Sequence, residues 1–221
     1  MKISWCIILF FVSTWALGQA QPIATNRPFE AEIRAFEQAD HASPPPQNAI
    51  VFTGSSSIRL WENLSTYFPG KQILQRGFGG SELSDVIRYA DRIIIPYHPK
   101  QVVLYAGEND IATGKQTGRQ TFDRFVTLFE HVLQKLPNAT FTFISIKPSP
   151  SRRQYFPEND IANQLIKQYL GKQKNTQFVD IRPVMLGQNG QPVPALFKSD
   201  SLHMLPAGYE RWTTVLAPYL K

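Results

Sequence analysis

A chain of 221 residues with 43% hydrophobic content is long enough to bury one substantial core. Its formal net charge of +6 comes from lysines and arginines scattered along the length. No clustered basic stripe with interleaved aromatics appears, so no nucleic-acid partner is expected.

The first residues read as a leader. Lys2 supplies a positive start, residues 7–12 (IILFFV) an apolar heart, and "WALGQAQP" small residues for cleavage after Gly18 or Ala20. The apolar run is shorter than the ~20 residues a membrane span needs. The expectation is a signal peptide over 1–20, a single domain over 21–221, export to the periplasm or outside, and no stable membrane insertion after cleavage. The one cysteine, Cys6, lies in that leader, so disulfides, thiol nucleophiles and cysteine-ligated metals are not expected in the mature chain.

Residues 28–42 follow as an amphipathic helix with Phe29, Ile33 and Phe36 on one side, stopped by Pro44, Pro45 and Pro46. Ala49 to Phe52 reads as a short buried strand, and Ile58, Leu60, Trp61 and Leu64 fit one face of a helix just beyond it. Between them lie Gly54 and three serines, Ser55 to Ser57. Such a strand-to-helix turn can cap the helix, hold a phosphate or present a nucleophile. A weaker strand covers 71–74, and "GFGGS" feeds a helix with Leu83, Val86, Ile87, Ala90 and Ile94 on its apolar face. Residues 101–106 (QVVLYA) form a strand ending in the loop "GENDIATG". A helix over 121–136, a strand over 139–146, the Pro-rich loop "KPSPSRRQYFP" and a helix over 158–170 come next. The last elements are a fifth strand over 178–181, a tight turn at Asn189-Gly190 and a helix from Pro206.

Strands alternating with helices predict an α/β fold with a parallel sheet covered on both faces, and ligands bind such sheets beyond the carboxyl ends of the strands. The unusual polar residues concentrate in the loops at those ends. A serine nucleophile needs a base, a group orienting that base, and donors for the oxyanion. Of the four histidines, His41, His98 and His131 lie away from those loops and read as surface or packing residues. His203 follows Asp200 by three residues, close enough for a carboxylate to hold Nδ1 and leave Nε2 as a base; helix capping explains "DSLH" equally well. Asn109 is either a turn asparagine or an amide aimed into the cleft, and Gly79 and Gly80 either serve a turn or bare N–H groups at a helix start. Glu108 reads as solvated. Lys147, Ser149 and Arg152 fall on the same sheet edge, as a cationic rim for substrate or as surface charge.

The blocks GSS, FGG, GEND and DSLH, in that order and each at a strand end, resemble the SGNH, or GDSL-like, hydrolase family over about residues 49–212. "GSSSIRLW", "SIKPSPSR" and "LHMLPAGYERW" fit one branch of it. The resemblance implies a flavodoxin-like three-layer α/β/α sandwich with a five-stranded parallel sheet. It also implies Ser56 as nucleophile, Asp200 and His203 as the acid and base of a triad, and Gly80, Asn109 and the Ser56 N–H as oxyanion donors. Ser55 stands where the family's first block has Asp, and Gln75 where an asparagine often precedes the glycine block. Ser55 and Ser57 are assigned to loop hydrogen bonds and helix capping. The implied activity is hydrolysis of acyl esters (acetylated carbohydrate, lysophospholipid or short-chain ester) without cofactor or metal. Acyl transfer to a sugar, and a non-catalytic phosphate- or carbohydrate-binding module, are the alternatives.

Overall fold

A computed structural model describes residues 27–221; the expected leader, with Cys6, lies outside the described residues. Five strands, β1 (Ile50–Gly54), β2 (Ile73–Gly77), β3 (Gln101–Tyr105), β4 (Thr140–Ile144) and β5 (Thr176–Val179), form one parallel sheet in the order β2-β1-β3-β4-β5. The helices are α1 (Glu30–Ala42), α2 (Ser56–Arg59), α3 (Leu83–Ile93), α4 (Glu108–Ala112), α5 (Gly118–Lys135), α6 (Phe156–Leu170), α7 (Arg182–Met185) and α8 (Pro206–Leu216). One apolar cluster joins the sheet to α1, α3, α5 and α6, and a second joins it to α2, α7 and α8. This is the expected three-layer α/β/α sandwich. Among the described residues no helix is long and apolar enough to cross a membrane.

Burial on both faces explains why the central strands read as nearly unbroken apolar runs. On β3, Val102 and Leu104 enter the first cluster while Val103 and Tyr105 enter the second. The second cluster is aromatic: Trp61 stacks on Tyr209 at 4.8 Å between ring centroids and meets Trp212 edge-on at 5.9 Å. The strand order reverses between β1 and β3, and the crevice at such a switch point is where ligands sit.

Three expectations need correction. Ile58 to Leu64 is not one helix: α2 is a single turn, and a 3-10 turn over Leu64–Tyr67 follows. Asn63 adopts left-handed backbone (φ 51°), and the Gln75 amide takes the carbonyls of Ile58 and Trp61, so the helix cannot continue. The second strand runs over Ile73–Gly77 rather than 71–74. Its polar residues are taken up by partners distant in sequence, Gln75 by the carbonyls of Ile58 and Trp61 and Arg76 by Asp40 and the rings of Phe36 and Tyr97. "GENDIATG" is not simply a loop, because Glu108 to Ala112 close a helical turn. The Asn189-Gly190 turn is present, with Gly190 at φ 70°.

Candidate active site

β1 delivers the serines through a glycine at which any side chain would be strained and crowded. Gly54 has φ 119°, and a Cβ there would stand 1.9 Å from the Tyr105 carbonyl oxygen. The Ser55 N–H donates to that same carbonyl at 3.0 Å, which locks the turn to the end of β3. Ser55 occupies the N-cap position of α2, yet its hydroxyl makes no capping bond. Its own carbonyl already accepts the Ile58 N–H that a capping hydroxyl would take. Ser57 is buried and contributes its carbonyl to the Tyr209 hydroxyl at 2.9 Å. The capping role expected for these two serines is therefore corrected. Ser56 is the first residue of α2.

The Ser56 hydroxyl lies 3.0 Å from Nε2 of His203, and Nδ1 of His203 lies 2.6 Å from Oδ2 of Asp200. Asp200 also accepts the N–H groups of Leu202 and His203 on Oδ1, both at 2.9 Å, which folds the segment into a tight turn with Ser201 at φ 55°. Ser151 clips that turn to the loop after β4, donating through Oγ and N–H to the Ser201 carbonyl. The Asp200 side chain is 46% exposed and that of His203 25%. Desolvation pushes the Asp200 carboxyl up, but the His203 ring and the two N–H donors outweigh it and hold the pKa at about 2. Asp200 is thus an anion at any working pH. Proton transfer from Ser56 Oγ to Nε2, with Nδ1–H donating to the carboxylate, is what this geometry can perform. The other histidines stand apart: His41 ends α1, His98 precedes β3, and His131 pairs with Asp91 at 2.9 Å.

Across the crevice, Asn109 sits in the first turn of α4, after Gly107 at φ 112°. Its Nδ2 donates to the Ser81 carbonyl at 3.1 Å, and a Cβ placed on Gly80 would stand 3.7 Å from Nδ2, so Gly80 and the amide lie side by side. The buried Asp110 carboxylate accepts the Leu83 N–H at 3.0 Å and Arg124 at 2.9 Å, tying the start of α3 to α4. The two candidate donor segments are fastened together.

The charged residues behind Asn109 depart from expectation. Lys147 is not a rim residue: it is 1% exposed and pairs with Glu108 at 2.5 Å. Glu108, expected in solvent, is 5% exposed and also accepts hydrogen bonds from Tyr105 and Ser149. Burial pushes its carboxyl up, but Lys147 and Arg152 more than offset this and hold it below its ordinary value. Arg152 donates to Oδ1 of Asn109 at 2.8 Å instead of standing free. One signal could have found the buried pair. The parallel register sets Leu104 opposite Phe143, so the segments leaving β3 and β4 towards Glu108 and Lys147 start side by side.

The site joins a serine, a histidine and a carboxylate at the strand-end crevice of an α/β sandwich. The GDSL-like Lipase/Acylhydrolase family model matches residues 51–211, and the chain belongs to that family. No curated protein matches. Among solved structures, a proposed platelet activating factor from Streptococcus pneumonia aligns with TM-score 0.76 at 21% identity, over 87% of this chain and 92% of that one. A GDSL-like lipase from Bacteroides thetaiotaomicron aligns with TM-score 0.69 at 21% identity, over 86% and 97%. The Clostridium thermocellum family 3 carbohydrate esterase aligns with TM-score 0.61 at 17% identity, over 78% and 94%. These three are likenesses of fold.

Proposed function

We propose that the protein is an exported serine esterase acting on short acyl esters, with O-acetylated carbohydrate as the leading substrate class. The observation that carries the reading is the unbroken line Ser56 Oγ, His203 Nε2, His203 Nδ1, Asp200 Oδ2, at 3.0 Å and 2.6 Å. Ser56 Oγ attacks the ester carbonyl carbon while its proton passes to Nε2. The oxyanion is held by the N–H groups of Ser56 and Gly80 and by Nδ2 of Asn109. Collapse of the tetrahedral intermediate breaks the ester bond, and the alkoxide leaves with the proton from Nε2. Water, losing a proton to His203 Nε2, then attacks the acyl-serine carbonyl; collapse breaks the bond to Ser56 Oγ, which recovers the proton from Nε2 as the carboxylic acid leaves. A carbohydrate esterase among the fold's relatives supports the sugar-ester preference. Export rests on the leader expected over 1–20.

The test is turnover of p-nitrophenyl acetate, butyrate and octanoate beside an acetylated oligosaccharide panel, with wild type and Ser56→Ala. Loss of nearly all activity in Ser56→Ala, and fluorophosphonate labelling mapped to Ser56, are expected. An active Ser56→Ala enzyme, or an unlabelled Ser56, refutes the reading.

A further inference from the structure

We infer that Arg152 is a positioning residue that sets the orientation and donor strength of the Asn109 amide. This rests on the serine-esterase reading above, and it concerns a contact that reading does not use.

An asparagine side chain has two nearly isosteric orientations, which exchange an acceptor for a donor. Only one is useful to an oxyanion, because the reversed amide would present its oxygen to a developing negative charge. Two neighbours settle the choice. Arg152 can only donate and lies 2.8 Å from Oδ1, while the Ser81 carbonyl can only accept and lies 3.1 Å from Nδ2. Reversing the amide would break both bonds at once and set donor against donor. With one Nδ2 hydrogen on Ser81, the other is left to point past Gly80 into the crevice.

Charge adds to orientation. A guanidinium on an amide oxygen draws electron density from the nitrogen and strengthens its N–H as a donor. Lys147 and Glu108 form a neutral pair, so the charge of Arg152 is the unbalanced one in this cluster. Glu108 Oε1, at 4.0 Å from Nη1, and the largely buried position of the side chain keep Arg152 in place. The cationic-rim role is thereby replaced. Arg152 turns toward the machinery, and its Asn109 contact is independent of the substrate's charge.

The test is steady-state kinetics on p-nitrophenyl acetate with Arg152→Met, Arg152→Lys, Asn109→Ala and the Arg152→Met/Asn109→Ala double variant. One oxyanion donor accounts for about 10²–10³ in kcat. Arg152→Met should lose a share of that, about 10–100-fold in kcat with KM nearly unchanged, and Arg152→Lys should recover part of it. In the Asn109→Ala background the same replacement should cost less than about threefold, because its target is gone. Normal kcat in Arg152→Met, or a loss that is fully additive with Asn109→Ala, overturns the inference. So does a rise in KM confined to an anionic ester, which would restore a substrate-binding role. Should Arg152→Met fail to fold, Arg152→Lys with its own Asn109→Ala double variant carries the same additivity test. The two readings fail separately: an active Ser56→Ala enzyme refutes the esterase, whereas a dead Ser56→Ala beside a normal Arg152→Met refutes only the role of Arg152.

Discussion

Replacing Asp200 by Asn removes one charge and almost no volume, and its effect follows from three hydrogen bonds. Oδ1 accepts two backbone N–H groups at 2.9 Å, and an asparagine oxygen can keep both. The amide nitrogen must then take the place of Oδ2, which now lies 2.6 Å from Nδ1 of His203. A donor there forces Nδ1 to become the acceptor and moves the ring proton to Nε2, which faces Ser56. In that tautomer Nε2 cannot accept the Ser56 proton. An enclosed triad loses about 10⁴ in kcat on such a change. Here the carboxylate is 46% exposed, so water can help return the productive tautomer. We therefore expect a loss of about 10²–10³, or ~3–4 kcal/mol of barrier, and a smaller loss than in His203→Ala. The assay is kcat for p-nitrophenyl acetate from pH 4 to pH 9, at constant ionic strength. Asp200 stays ionised down to about pH 2, so protonation of its carboxylate should contribute nothing to the wild-type profile across this range. An Asp200→Asn enzyme within tenfold of wild type at every pH would refute the reasoning.

Gly54→Ala should lower the melting temperature by about 10 °C, since strained backbone and overpacking cost about 1–3 kcal/mol each and a domain of this size loses about 2–4 °C per kcal/mol. Differential scanning calorimetry checks it, and a shift under about 2 °C would mean that the β1–β3 contact yields easily. Lys147→Met should destabilise by about 3–5 kcal/mol because Glu108 is left buried without its closest cation. The sign with pH is diagnostic. In wild type the lowered Glu108 pKa adds stability that is lost as pH falls, whereas in the variant a raised pKa makes the deficit shrink as pH falls. Urea unfolding at pH 5 and pH 8 reads this, and an equal deficit at both would refute it.

What was legible in the sequence was whatever a buried sheet writes locally. β1, β3 and β4 announced themselves because both of their faces are covered, and the glycines and serines after them marked the strand ends. β2 starts two residues and ends three residues beyond its expected place because Gln75 and Arg76 look like loop until their distant partners are known. α2 and α4 are single turns, too short to write a helical period. The pairing of Glu108 with Lys147 spans 39 residues. Composition assigns two such charges to solvent, and only the adjacency of β3 and β4 brings them together. Arg152 likewise reveals nothing alone, because its meaning lies in the amide it touches.

The site divides into a buried half and a half-exposed one, and the proposed chemistry explains the division. Gly54 against Tyr105, Asp110 against Leu83 and Asn109 against Ser81 fix the side proposed to hold the oxyanion to the sheet in buried surroundings, where preorganised dipoles act most strongly. The acid–base side is a surface turn, held by the Asp200 carboxylate's own bonds to the backbone and by Ser151. An imidazole that gains and loses a proton in every turnover benefits from nearby water, which stabilises both charge states. An oxyanion donor gains only from being still. Charge is therefore buried behind Asn109 and left half exposed at Asp200. Substitutions on the oxyanion side should lower stability and kcat together, whereas those at Asp200 and His203 should lower kcat with little change in the melting temperature.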